Sequence, residues 1–149
     1  MYRLHVSIPS RTSFLSGLEA VYRQFMSDFA DESGLCPDEI FLAIVEGVVN
    51  AVKHGNAEDS RKNVDVELLL TEEALHITIK DRGNGFHPEA LADPTHPDNI
   101  TLPGGRGIFL MRRLMDSVEY HFTPGMTVLE MKIACRGGCH GMEGDRGAW

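Results

Sequence analysis

The chain has 149 residues, of which 42% are hydrophobic and 24% charged, with a net charge of −8. That length suits one domain with a real core. No apolar run approaches the roughly 20 residues of a bilayer span, and the start MYRLHVSIPS lacks a signal-peptide stretch. A cytoplasmic protein with no membrane partner is expected.

An acidic surface also argues against nucleic acid as a partner, because displacing counterions from phosphates takes Lys and Arg. A single bound nucleotide remains compatible, since a few local donors can hold a phosphate. The three cysteines, Cys36, Cys135 and Cys139, are an odd count and do not form a disulfide framework. Cys135, Cys139 and His140 in CRGGCH fall short of the four ligands of a structural metal site.

In chain order, YRLHVSI alternates and predicts a first strand. Ser10 or Thr12 is placed to cap a helix through FLSGLEAVYRQFMSDFADESG, with Gly34 just past its end. Pro37 sits near the start of a second helix over about 37–54, with Phe41, Ile44, Val45, Val48 and Val52 on one face. Glu46, Asn50, Lys53 and His54 fall on the opposite side. That stripe is odd, because Asn is a poor helix former whose amide competes for backbone groups. His54 can bond the last helical carbonyls, and Gly55 suits a left-handed cap.

NVDVELLL and ALHITIKD then alternate, joined by Thr71-Glu72-Glu73 as a hairpin. A loop from about Gly83 to Arg106 is rich in Gly, Pro, Asp and His, and loops of such length tend to be functional or mobile. GIFLMRRLMD predicts a third helix, and SVEYHF and MTVLEMKIA the last strands, turned at Thr123-Pro124-Gly125. The Gly-rich end has no periodicity and reads as disordered, which sets a domain over 1–134 and a tail over 135–149. The order β-α-α-β-β-loop-α-β-β predicts an α+β two-layer sandwich, a mostly antiparallel sheet covered on one face by helices. Two connections are too short for parallel crossovers.

The chemistry gathers in three places. Leu75, Ile77, Ile79 and Asp81 share one strand face, so a carboxylate is aimed toward the core side. It needs a donor there, either the backbone N–H groups of the next turn or a ligand N–H such as the exocyclic amine of adenine. Gly83 and Gly85 follow at once, and glycine allows positive φ or close approach to backbone. Gly104, Gly105 and Gly107 leave N–H groups open at a helix start, where phosphate binds well. A P-loop is excluded by motif, and no strand runs directly into G-x-G-x-x-G. Held together, these features would grip the two ends of one nucleotide. The stripe then gains a purpose: the Asn50 oxygen suits Mg²⁺, Glu46 can accept a proton, and Lys53 can meet a phosphate.

In this order EGVVNAVKHGN, DRGNGF and GGRGIFLM resemble the N, G1 and G2 boxes of the GHKL ATP-binding superfamily, which includes gyrase and the histidine kinases. Within it, Glu-x-x-x-Asn-Ala-x-x-His-Gly is most similar to the bacterial anti-sigma-factor serine/threonine kinases. The resemblance covers roughly residues 1–134 in element order. It implies the Bergerat α/β sandwich, with ATP between the helices under a flexible lid. It also implies Asn50 as Mg²⁺ ligand, Glu46 as catalytic base, Asp81 on the adenine amine, Gly85 lining the pocket, and Gly105 and Gly107 framing the phosphates. Thr127 matches a threonine that supports adenine. Arg106 and Arg112 can reach phosphates or a partner, and for Arg112 a solvated role is the expectation. The implied protein is a serine/threonine kinase, commonly a homodimer, that sequesters a sigma factor and phosphorylates an anti-anti-sigma antagonist. The alternative is a nucleotide-binding partner-switching module without kinase activity.

Overall fold

The computed structural model describes residues 1–29, 33–83 and 105–136. Most of the expected loop, with Gly85 and Gly104, lies outside the described residues, as do Cys139, His140 and the rest of the expected tail beyond Arg136.

Five strands form one sheet: β1 (Tyr2–Pro9), β2 (Asn63–Leu70), β3 (Ala74–Asp81), β4 (Ser117–Thr123) and β5 (Met126–Ala134). Their order is β1-β2-β3-β5-β4 and every neighbouring pair is antiparallel. Alternation in the sequence predicts these strands because it survives in their burial. Val64, Val66, Leu68 and Leu70 of β2, and Leu75, Ile77 and Ile79 of β3, are buried on one face. Opposite-facing residues pair across strands in the open, as Arg3 does with Glu67 at 3.5 Å and His121 with Glu130 at 3.3 Å. Exposed pairs of this kind stabilise little.

Among the described residues three α-helices cover the apolar face: α1 (Leu15–Ser27), α2 (Pro37–Asn50) and α3 (Gly105–Leu114). They deliver Leu18, Tyr22, Met26, Ile40, Ile44, Val48, Ile108 and Met111 to the same core as the strands. Each such side chain contributes about 1.5–3 kcal/mol by leaving water. Gly47 lets α2 settle on the sheet centre, since a Cβ there would stand 2.6 Å from Ile79 Cδ1 and 2.8 Å from Leu129 Cδ2. The result is the expected α+β two-layer sandwich.

Two local expectations fail. Neither Ser10 nor Thr12 caps a helix: Thr12–Phe14 form a 3₁₀ turn whose N-cap is Arg11, with no side-chain cap bond. Ser10 is instead fully buried. The second helix does not run regularly to residue 54. It is α-helical to Asn50 and then widens into a π-turn, Ala51–Gly55. The Asn56 N–H reaches back five residues to the Ala51 carbonyl, at 2.7 Å.

Candidate functional site

One end of the site is built by α2 and α3. Glu46 and Asn50 stand one turn apart on the same helix face. Asn50 is 6% exposed, and its Nδ2 finds no partner among the described residues. A buried amide donor without a well-formed hydrogen bond costs about 1–3 kcal/mol, and the Tyr120 hydroxyl is the group that faces the Asn50 amide. Gly107, in the first turn of α3, closes over this pair. A Cβ on it would lie 2.5 Å from Glu46 Oε2 and 3.7 Å from Asn50 Nδ2. Glycine leaves the Glu46 carboxylate where it stands, since a side chain here would push it aside, and the helix start, with its open N–H groups and partial positive charge, meets a carboxylate and an amide. Gly105 opens the same turn, and Arg106 beside it is exposed.

The other end is built by β3, β5 and the π-turn. Asp81 is 5% exposed, and its Oδ1 accepts the Gly83 N–H at 2.8 Å. Burial raises its pKa, while the Gly83 N–H, the Thr127 hydroxyl and the Lys62 ammonium oppose the rise. Thr127 lies directly across the β3–β5 ladder from Asp81 and is 2% exposed. Its hydroxyl faces the carboxylate, yet no hydrogen bond of normal geometry closes on Oγ1. Of the two partners that the sequence allows Asp81, the backbone turn is thus present, and it uses one carboxylate oxygen.

Glycine serves here in a way the sequence did not reveal. Gly55 is not a left-handed cap: among the described glycines positive φ belongs to Gly34 and Gly125. The chain leaves the π-turn through Ala57 and Glu58, at φ 53° and 57°. A Cβ on Gly55 would overlap the Asp81 carboxylate, and a Cβ on Gly83 would overlap the Gly55 backbone. The two glycines let the π-turn and the exit of β3 touch. The same widened turn breaks the polar stripe after Asn50, and both Lys53 and His54 end up exposed.

Tyr120 joins the two ends and was not anticipated. Burial pushes its phenol up to about 12, helped by the Asp81 charge and opposed by the Asn50 amide and the Arg112 guanidinium. Tyr120 also lies parallel to Phe122, with ring centroids 6.0 Å apart. Alternation in SVEYHF places Val118, Tyr120 and Phe122 on one face, which was the available signal. The register then sets Tyr120 against Leu129 and Phe122 against Thr127. Asn56, fully buried beside Gly55, is the second unanticipated residue.

The donor set fits a nucleotide with a divalent cation: the Asn50 amide, whose oxygen can ligate a cation, beside a carboxylate at one end, and a buried carboxylate beside a threonine hydroxyl at the other. Among the described residues no cluster of three His, Cys, Asp or Glu side chains could hold a metal unaided. Mg²⁺ is commonly held by one or two protein groups together with phosphates and water. Among the described residues Cys36 and Cys135 form no disulfide.

The chain is similar to known proteins. The chain is 29% identical to the serine-protein kinase RsbW of Bacillus cereus, over 90% of this chain and 86% of that protein. It is 27% identical to the protein of the same name from Bacillus subtilis, over 87% and 84%. Among solved structures, the RsbU and RsbW domains of Rv1364c from Mycobacterium tuberculosis superpose with a TM-score of 0.62 at 20% identity. That match covers 93% of this chain and 34% of the other, so this chain spans about a third of that protein. Residues 13–133 match the family described as the histidine kinase-like ATPase domain. With most of its length inside that match, the chain belongs to the histidine kinase-like ATPase domain family.

Proposed function

We propose that this protein is an ATP-dependent protein serine/threonine kinase of the partner-switching type. It sequesters a sigma factor, and it phosphorylates a serine or threonine on an anti-anti-sigma antagonist. The observation that carries the reading is the convergence of Glu46, Asn50 and Gly107, on a chain resembling serine-protein kinases along most of its length. Residues 1–134 form the ATP-binding unit, and the protein works as a cytoplasmic homodimer.

Asp81 would receive the exocyclic amine of adenine, with Thr127 beside it and Gly83 and Gly85 at the rim. Asn50 would offer its side-chain oxygen to Mg²⁺. When bound, the cation would neutralise charge on the transferring phosphoryl group. Gly104, Gly105 and Gly107 would present N–H groups to the phosphates at the start of α3, with Arg106 and Lys53 adding charge from the exposed rim. Glu46 would take the proton of the attacking hydroxyl. It is half-buried and one turn from Asn50, which supports a base acting beside the cation. Little covalent chemistry is asked of the protein, so positioning and charge stabilisation supply most of the rate.

The test is phosphate transfer from labelled ATP to a purified antagonist. The wild type should phosphorylate it, and Glu46→Gln should lower kcat by about 10²- to 10⁴-fold with nucleotide affinity kept. Wild type and variant that are equally inert would rule the kinase out.

A further inference from the structure

We propose that Asn56 is the positioning residue for purine recognition: it locks the turn that holds Asp81, and so sets the preference for adenine over guanine. The inference rests on the kinase reading above, in which Asp81 reads the adenine amine.

Asn56 is fully buried and uses all its hydrogen-bonding groups on backbone. Its Oδ1 accepts the Arg82 N–H at 2.8 Å, and its Nδ2 donates to the Asn63 carbonyl at 3.0 Å. Its own N–H donates to the Ala51 carbonyl at 2.7 Å, and its carbonyl accepts the Asp59 N–H at 3.1 Å. The amide orientation is fixed by these partners, since an N–H requires the oxygen and a carbonyl requires the nitrogen. One side chain therefore ties together the end of the π-turn, the start of β2 and the exit of β3.

The exit of β3 is where this matters. Arg82 stands between Asp81 and Gly83, and Gly83 is the residue whose N–H holds Asp81 Oδ1. Gly55, adjacent to Asn56, lies so close to the Asp81 carboxylate that no Cβ fits between them. The carboxylate is thus bounded on one side by the residue before Asn56 and on the other by the turn that Asn56 anchors. A guanine offers a carbonyl where adenine offers an amine, so a carboxylate fixed in place repels the one and binds the other. Freeing the turn lets the carboxylate move away from a guanine carbonyl, and the discrimination falls. Buried, fully satisfied polar networks hold geometry in this way.

The experiment measures binding of Mg-ADP, Mg-GDP and Mg-tripolyphosphate to the full chain and to two variants, Asn56→Ala and Asn56→Asp, with thermal melts to establish folding. Asn56→Asp keeps the volume and the acceptor for Arg82, but it turns an oxygen toward the Asn63 carbonyl. Both variants should lose about tenfold or more in ADP affinity and most of the ADP-over-GDP preference. Tripolyphosphate affinity should stay at the wild-type value, because the Asn50 end is untouched. A uniform loss for all three ligands, or unchanged discrimination in a folded variant, would overturn the proposal. So would failure of both variants to fold, which would make Asn56 purely structural. A wild type that binds ADP and GDP alike would instead defeat the reading of Asp81 on which the proposal stands.

Discussion

The two ends of the site differ in how much of themselves they complete. At the Asp81 end the chain supplies its own partners: Gly83 donates to the carboxylate, Asn56 anchors the turn, and Gly55 fits against it. At the Asn50 end a buried amide nitrogen lacks a partner among the described residues, and Glu46 faces a glycine that leaves space for its oxygen. The contrast separates two kinds of recognition. On the proposed reading, a base would be met by groups fixed before it arrives, whereas a polyphosphate with its cation would be held by groups that close only on binding. A rigid purine end lowers the ordering cost of binding, and an open phosphate end leaves room for the reaction.

The largest effect should come from closing the open end. In Gly107→Ala the added methyl would stand 2.5 Å from Glu46 Oε2. A flexible carboxylate can move aside, so the fold survives, but the base is displaced. A displacement of about 1 Å costs on the order of 10²-fold in rate, so single-turnover phosphorylation should slow by that order with melting temperature nearly unchanged. A variant as fast as wild type would place Glu46 outside the chemistry.

A smaller effect is expected at the completed end. Asp81→Asn should lose about tenfold or more in ADP affinity, the range of a hydrogen bond to a charged group. Its stability should hold or rise, because ionising Asp81 in a buried place opposes folding. Burial holds the folded pKa above the ordinary carboxylate value, so the protonated carboxyl favours the folded state at low pH. That contribution fades as pH rises through the folded value. The ligand follows the opposite sign, since an amine donor needs the carboxylate. ADP affinity should therefore fall as pH drops through the raised pKa, and tripolyphosphate affinity should not show this fall. Titration calorimetry at several pH values checks both, and parallel curves for the two ligands would remove Asp81 from the purine site.

The smallest effect belongs to Thr127. Its buried hydroxyl has no closed hydrogen bond, so Thr127→Val should leave the melting temperature unchanged or slightly higher. ADP affinity should fall by the equivalent of about 1 kcal/mol if that hydroxyl meets the base. An unchanged affinity would make Thr127 a plain strand residue.

The strands were legible because burial on one face writes a period of two directly into residues such as Leu75, Ile77, Ile79 and Asp81. The stripe Glu46–Asn50 was legible for the same reason at helical spacing. The π-turn after Asn50 was not legible, because the apolar pattern does not report whether a turn closes after four residues or five. Gly55 was misjudged because glycine marks either positive φ or missing space, and the Asp81 carboxylate that fills the space is far away in sequence. Tyr120 and Asn56 escaped for a related reason. Their roles depend on the register of β4 against β5 and on backbone groups of β2 and β3, which only the folded sheet assembles.

The central claim is that both ends hold one nucleotide. A crystal structure of the protein with Mg²⁺ and a non-hydrolysable ATP analogue tests it most directly. The account predicts the adenine amine within about 3.2 Å of an Asp81 oxygen and the cation about 2.1 Å from Asn50 Oδ1. An analogue bound away from Asp81, or a cation that bypasses Asn50, would contradict it.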